Sequence, residues 1–275
     1  MLVKSERPGT VQYMKRLVTI LSFSLLYALL AFDLPDVPNR TFQRGEYLKF
    51  SIDYGFINAG YASLVVKDEP VYIQGKPCYH VVGKGWTNST WDVIYKVRDR
   101  YESWIDQDEL VSRRFVRHLN EGGFHTVQRV NFDQAAGKAR YHDPNRGNQT
   151  YNVPERVQDV LSAFFFARAH YDQDELKVGD HIDLHNFLDR KVFALEARLL
   201  EREEIEVGGH SFNALKFDLL IEEAGLMTDG SDIQFWISDD DNKIPLRIES
   251  QLMIGSISCD LVEWRGLRHP LGISE

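Results

Sequence analysis

The sequence predicts a mainly β fold: a strongly curved antiparallel sheet or barrel-like assembly of two pseudo-repeats with one central amphipathic helix. Three observations predict it. Apolar and polar residues alternate with a period of two after Gly45, one stretch alone keeps helical spacing, and the chain aligns with itself. Strict alternation buries one face of a strand and wets the other, which is the antiparallel case.

The elements follow in order. Leu48, Phe50, Ile52 and Tyr54 alternate with Lys49, Ser51 and Asp53. Leu215, Phe217, Leu219 and Ile221 do the same later, as do Leu246, Ile248, Leu252 and Ile254. Turn residues separate such runs at Asn58-Ala59-Gly60, Gly75-Lys76-Pro77, Glu121-Gly122-Gly123, Gly208-Gly209 and Ser238 to Asn242. Pro154 opens the helical stretch, in which Val157, Val160, Leu161, Phe164 and Phe165 recur at three- and four-residue spacing to about Tyr171. A shift of 134 places Gly45-Glu46 on Gly179-Asp180 and Gly75 on Gly209. A shift of 132 places Trp104-Ile105 on Trp236-Ile237, Gly123 on Gly255 and Phe132 on Trp264. Residues 45–133 and 179–264 thus read as two repeats joined by a helix at 154–171, within a single β domain at 45–265. The helix is expected against the concave side of the sheet or in its mouth.

The chain has 275 residues and a formal net charge of -9, with 43% apolar and 27% charged residues. That composition excludes a disordered chain and a polytopic membrane protein, and its acidity disfavours nucleic acid as a partner. Lys15 and Arg16 precede an apolar run from Leu17 to Phe32, which Asp33, Pro35 and Pro38 end. A basic start, a short apolar run and an abrupt polar stop describe a signal peptide at 1–32, with Met14 as an alternative start, followed by a linker at 33–44. Residues 266–275 read as a C-terminal tail. The expected localisation is the periplasm or cell envelope of a Gram-negative bacterium, with membrane contact only through an uncleaved leader.

Gly45-Glu46-Tyr47-Leu48, Ala59-Gly60, Asp99 to Asp106, Asp159 to Arg168, and Phe235 to Asp240 running into Ile244-Pro245-Leu246-Arg247 occur in that order. Together they resemble the domain-of-unknown-function family 3108 of exported bacterial proteins, over about 42–265. The resemblance implies an exported, mostly β protein without an assigned reaction. At fold level the chain is also similar to periplasmic lipoprotein carriers, whose curved sheet, closed by helices, holds acyl chains.

Catalytic motifs are absent: there is no Gly-x-Ser-x-Gly elbow, phosphate loop or dinucleotide glycine pattern. No cofactor is implied. His181, Asp183 and His185 share one strand face and could grip a metal ion, as in a metal-dependent hydrolase, although a solvated strand face accounts for them. Asp239, Asp240, Asp241 and Asn242 offer oxygens to calcium but read better as a hairpin turn. Cys78 and Cys259 either pair outside the cytoplasm or remain buried thiols. Trp86, Trp91 and Tyr95 crowd one aromatic stretch, and Phe164, Phe165 and Phe166 give the helix more aromatic surface than one face hides. These six are the expected contacts for an apolar or amphiphilic ligand, a lipid or a lipoprotein acyl chain, in the concave face of the sheet. The competing expectation is a scaffolding protein of the envelope that works through protein contacts.

Overall fold

The structure is a computed structural model that describes residues 38–223, 226–228, 233–251 and 255–274. The leader expected at 1–32 lies outside the described residues. Among the described residues, the period-two runs become seventeen strands of one sheet. In chain order they are β1 (Tyr47–Tyr54), β2 (Ile57–Val66), β3 (Val71–Ile73), β4 (Lys76–Thr87), β5 (Arg98–Asp106), β6 (Ser112–Glu121), β7 (Phe124–Asp133), β8 (Lys138–Asp143) and β9 (Gly147–Asn152). After helix α1 (Val160–His170) come β10 (His181–Leu188), β11 (Lys191–Val207), β12 (His210–Glu223), β13 (Leu226–Thr228), β14 (Ile233–Ser238), β15 (Pro245–Gln251), β16 (Ser256–Arg265) and β17 (Ile273–Ser274).

Every ladder between these strands is antiparallel. The spatial order is β9-β8-β7-β6-β5-β4-β2-β1-β16-β15-β14-β12-β11-β10, with β3 beside β4 and with β13 and β17 beside β12. The two halves run in parallel series: β1-β2-β4-β5-β6-β7 and β10-β11-β12-β14-β15-β16. The ends of β1 and β10 coincide at the shift of 134, and those of β7 and β16 at 132.

Strands β1 and β16 join the halves. The equivalent joint between β7 and β10 is not made among the described residues. The β8–β9 hairpin extends the first half instead, and the segment before α1 takes the edge of β10. There Gln158 N donates to His185 O at 2.8 Å and Phe187 N donates to Gln158 O at 2.8 Å. Phe187 closes the gap with its side chain, 6.1 Å from the Phe132 ring and 5.5 Å from Tyr151. The sheet therefore curls into a barrel-like form without closing by backbone hydrogen bonds.

Helix α1 starts at Val160, later than the sequence spacing at Pro154 suggests. Asp159 decides this: its carboxylate accepts from Leu161 N at 2.8 Å and Ser162 N at 2.9 Å, while Ser162 Oγ takes the Asp159 N–H at 2.8 Å. That reciprocal cap nucleates the helix there, and Gln158 just ahead is held extended by β10. The first hairpin also differs from expectation. It turns at Gly55 (φ 58°) and Phe56, and Asn58-Ala59-Gly60 continue into β2. Both flanks of the expected β domain contribute to the fold: Phe42 is fully buried with Val66, Val81 and Phe165, and β17 pairs with β12.

The helix lies on the sheet face that carries Leu64, Val66, Val81 and Ile105 from the first half and Leu199, Leu215 and Phe217 from the second. Phe165 packs into the first group and Phe164 touches both. A fully buried phenylalanine contributes about 1.5–3 kcal/mol. At Gly83 a Cβ would sit 3.4 Å from the Leu161 side chain, an ordinary van der Waals distance, which places this residue on the face of β4 that looks at the helix.

Candidate functional site

Two places concentrate chemistry-bearing residues: the interior around α1 and one rim of the sheet. In the interior, Asp159 is buried, and it accepts from Ser103 Oγ on β5 at 2.6 Å and Ser112 Oγ on β6 at 2.5 Å. Burial pushes its carboxyl above the usual aspartate range, against the pull of the serines and helix amides. At the other end of α1, Arg168 and Glu46 are each 1% exposed. Their two-point ion pair spans 2.7 and 3.0 Å, and the guanidinium also donates to Asn242 O at 2.7 and 3.1 Å. The Phe42, Phe164 and Phe165 rings surround the guanidinium at 5.5, 5.3 and 5.2 Å. Each of these polar groups is engaged in holding the helix to the sheet.

The expected ligand contacts separate into different surroundings. Phe165 is a core residue and Phe164 is half-buried beside it. Phe166 stacks on the His170 ring at 3.7 Å, with the Arg156 guanidinium 5.4 Å away. Trp86 does not join them. Gly83 faces the helix, so by strand alternation Trp86 points to the other side, where it meets Tyr61 at 6.1 Å. Trp91 and Tyr95 belong to a short 3-10 turn and the residues after it, between β4 and β5. Tyr95 is half-exposed and lies against Gly122, where a Cβ would meet the ring at 2.3 Å.

That turn ties the rim together. Asn88 donates through Nδ2 to Asn58 O at 2.6 Å and through its N–H to Ala59 O at 3.0 Å, which fixes it to the β1–β2 hairpin. Gly122 N donates to Lys96 O at 2.9 Å, which fixes the β6–β7 hairpin on the other side. The sequence reading missed Phe56, Ile57, Val93, Ile94 and Phe124, all exposed on these tips. The available signal was Gly55 between two alternating runs, directly followed by Phe56.

On β10, His181 Nε2 and Asp183 Oδ2 lie 3.6 Å apart. The third group within reach is Glu196, opposite Asp183 on β11, and all three donors fall within 4.8 Å. His185 stands apart from this group. The trio is largely solvent-exposed, as a wet strand face should be. The acidic turn spends its oxygens on folding: Asp240 accepts from Ser238 Oγ, Asn242 N and Gly272 N, each at 2.9 Å. Cys78 and Cys259 are free thiols on separate strands. A cleft of about 580 Å³ opens at the rim opposite the hairpin tips, lined by polar groups that include Arg40, His170, Asp172, Asp241, Lys243 and His269. A void of about 10 Å³ between Phe115, Tyr141 and Phe187 is no larger than one water needs.

The sequence profile of a protein family of unknown function, DUF3108, matches residues 49–262. The chain belongs to the DUF3108 family. A comparison with curated protein sequences gives no match. Among solved structures, the chain is similar to a β-barrel-like protein of the domain of unknown function DUF1849 from Brucella abortus. The TM-score is 0.54 at 11% identity, over 82% of this chain and 99% of that one. A candidate lipoprotein from Parabacteroides distasonis aligns over 82% of this chain and 100% of its own at 10% identity, with a TM-score of 0.31. A candidate exported protein with a YmcC-like fold from Bacteroides fragilis aligns over 82% and 97% at 8% identity, with a TM-score of 0.29. The likeness to the DUF1849 protein concerns the fold alone. Among the described residues, no helix of this DUF3108 protein is long and apolar enough to cross a membrane.

Proposed function

We propose that this DUF3108 protein is an exported, non-catalytic β module of the bacterial envelope that acts through contacts on its surface. One observation carries the reading. The sheet face on which an internal ligand would lie is covered by the chain's own helix, while unpartnered apolar side chains stand outside on one rim. An amphiphile inside would have to displace α1. That would strip Arg168 from Glu46 and Asp159 from Ser103 and Ser112, and breaking a buried ion pair costs about 3–5 kcal/mol. Export is supported by Lys15-Arg16 and the apolar run Leu17 to Phe32.

The test combines two measurements. Native mass spectrometry of protein purified from cells returns the mass of the polypeptide alone. Serine at Phe56, Ile94 and Phe124 together leaves the melting curve unchanged and removes the protein from the envelope fraction of a fractionated cell. A stoichiometric apolar adduct, or a triple variant that keeps its envelope association, overturns the reading.

A further inference from the structure

The apolar rim also carries information about its partner, and the following rests on the contact reading above. Six apolar side chains are exposed on three linked tips: Phe56 and Ile57, then Val93, Ile94 and Tyr95, then Phe124. Phe56 is 107% exposed, so its side chain packs against nothing among the described residues. It is the second central residue of a two-residue hairpin whose first, Gly55, supplies the positive φ of 58°. Closing this hairpin does not call for an aromatic. The equivalent turn of the second half is Asp189-Arg190, with φ of 48° and 68°, and it joins β10 to β11 with polar residues. Strand β16 starts at the same rim, since Ile257 pairs with Tyr54.

Charge points the same way. The chain carries a net charge of -9, and the carboxylates at the base of these tips hydrogen-bond within the fold. Asp92 is paired with Arg98 at 2.5 Å. Asp53 accepts from Ser51 Oγ at 2.8 Å and Asn58 Nδ2 at 3.2 Å. Asp99 accepts from Asn120 N at 2.9 Å, and the Asp99 carboxylate beside Glu121 holds the latter's carboxyl above the ordinary glutamate range. Lys96 is exposed and has no ion-pair partner among the described residues. The tips are convex and come from separate hairpins. A fluid phase closes around each of them, whereas a folded protein partner would need a separate pocket for every one.

We infer that this rim seats on a lipid surface bearing anionic phosphate headgroups. Phe56, Ile94 and Phe124 enter the acyl boundary, Trp91 and Tyr95 lie at headgroup level, and Lys96 meets the phosphates. This contact is separate from any made by the leader.

The experiment uses the full chain and vesicles of phosphatidylethanolamine and phosphatidylglycerol whose acyl chains are brominated. Any adhesion of the apolar run 17–32 is common to all variants, so site-resolved quenching is the readout. Phe56→Trp places a reporter at the apolar tip and Arg190→Trp places one at the polar tip, with the wild-type emission subtracted from each. Emission at 56 falls at least about twofold more than emission at 190, because bromines quench only side chains within the acyl region. Adding Lys96→Glu to the Phe56→Trp protein weakens that quenching on these vesicles and leaves it unchanged on pure phosphatidylcholine. Equal quenching at 56 and 190, or none at 56, overturns the lipid assignment. If quenching is absent while the triple serine variant still loses its envelope association, the contact reading stands and the partner is a protein. If neither effect occurs, both fall.

Discussion

Replacing Glu46 by glutamine should be among the most destabilising single changes available to this protein, although the side chain keeps its shape. The reason is what remains. Arg168 is 1% exposed and receives both of its charge-assisted contacts from Glu46, at 2.7 and 3.0 Å. The acceptors that remain are neutral, the substituted side chain's one amide oxygen and the Asn242 carbonyl, the new NH2 faces the cation, and the Phe42, Phe164 and Phe165 faces compensate only weakly. An uncompensated buried charge costs about 3–5 kcal/mol. A chain of this size loses roughly 2–4 °C per kcal/mol, so the expected fall in melting temperature is roughly 6–20 °C. Replacing both partners with apolar residues of similar volume (Glu46→Leu with Arg168→Met) removes the charge along with its partner and should restore at least half of the loss. The assay is thermal and urea unfolding of wild type, both single variants and the double, followed by circular dichroism. A Glu46→Gln melting point within about 2 °C of wild type, or a double variant as unstable as the two singles combined, refutes the reasoning.

Further outcomes follow from other residues. Asp159→Ala removes a helix cap and leaves two buried serine hydroxyls without their acceptor, so a loss of about 2–4 kcal/mol is expected by urea titration, with Asp159→Asn recovering part of it. Burial holds His80 and His170 below the usual histidine value of 6.5. The unfolded chain therefore takes up protons first, and stability is full above pH 6.5 and declines as pH falls through that value towards the folded ones. Melting curves between pH 7.5 and about 5.5 should show that decline, reduced in a His80→Phe, His170→Gln variant. Burial also pushes the Cys78 thiol to about 11 and Cys259 to about 12. Both should label at least about tenfold slower in the folded protein than in urea at pH 8, where two thiols per chain titrate. Fast native labelling, or an absence of thiols in urea, contradicts the unpaired arrangement.

Much of the framework was legible because its signals are local. The glycines that align the two halves are backbone requirements: Gly45 and Gly179 have φ of 84° and 94°, Gly75 and Gly209 have 78° and 79°, and Gly123 and Gly255 have 92° and 79°. Side chains rarely adopt those values, so the residue persists wherever the turn does. The helix was visible in its spacing, but its start was not, because capping by Asp159 competes with helical periodicity for the residues after Pro154. The Glu46–Arg168 pair was out of reach, since 122 residues separate the partners and nothing local marks either as buried. The aromatic stretch 86–95 stood out in composition, yet which side of the sheet Trp86 occupies depends on a register that the sequence does not display.

The unmade joint between β7 and β10 has a consequence for how such a chain could arise. Each half carries an opening strand and a closing strand, and β16 lends its edge to β1 across the boundary. A half-length ancestor with the same pairing rule could satisfy both of its borders only by meeting an identical copy, each subunit's last strand lying along the other's first. Fusion of two such copies makes one of the two junctions covalently local and frees the other from symmetry. In this protein the unmade junction is the place where the β8–β9 hairpin and the segment leading into the helix lie.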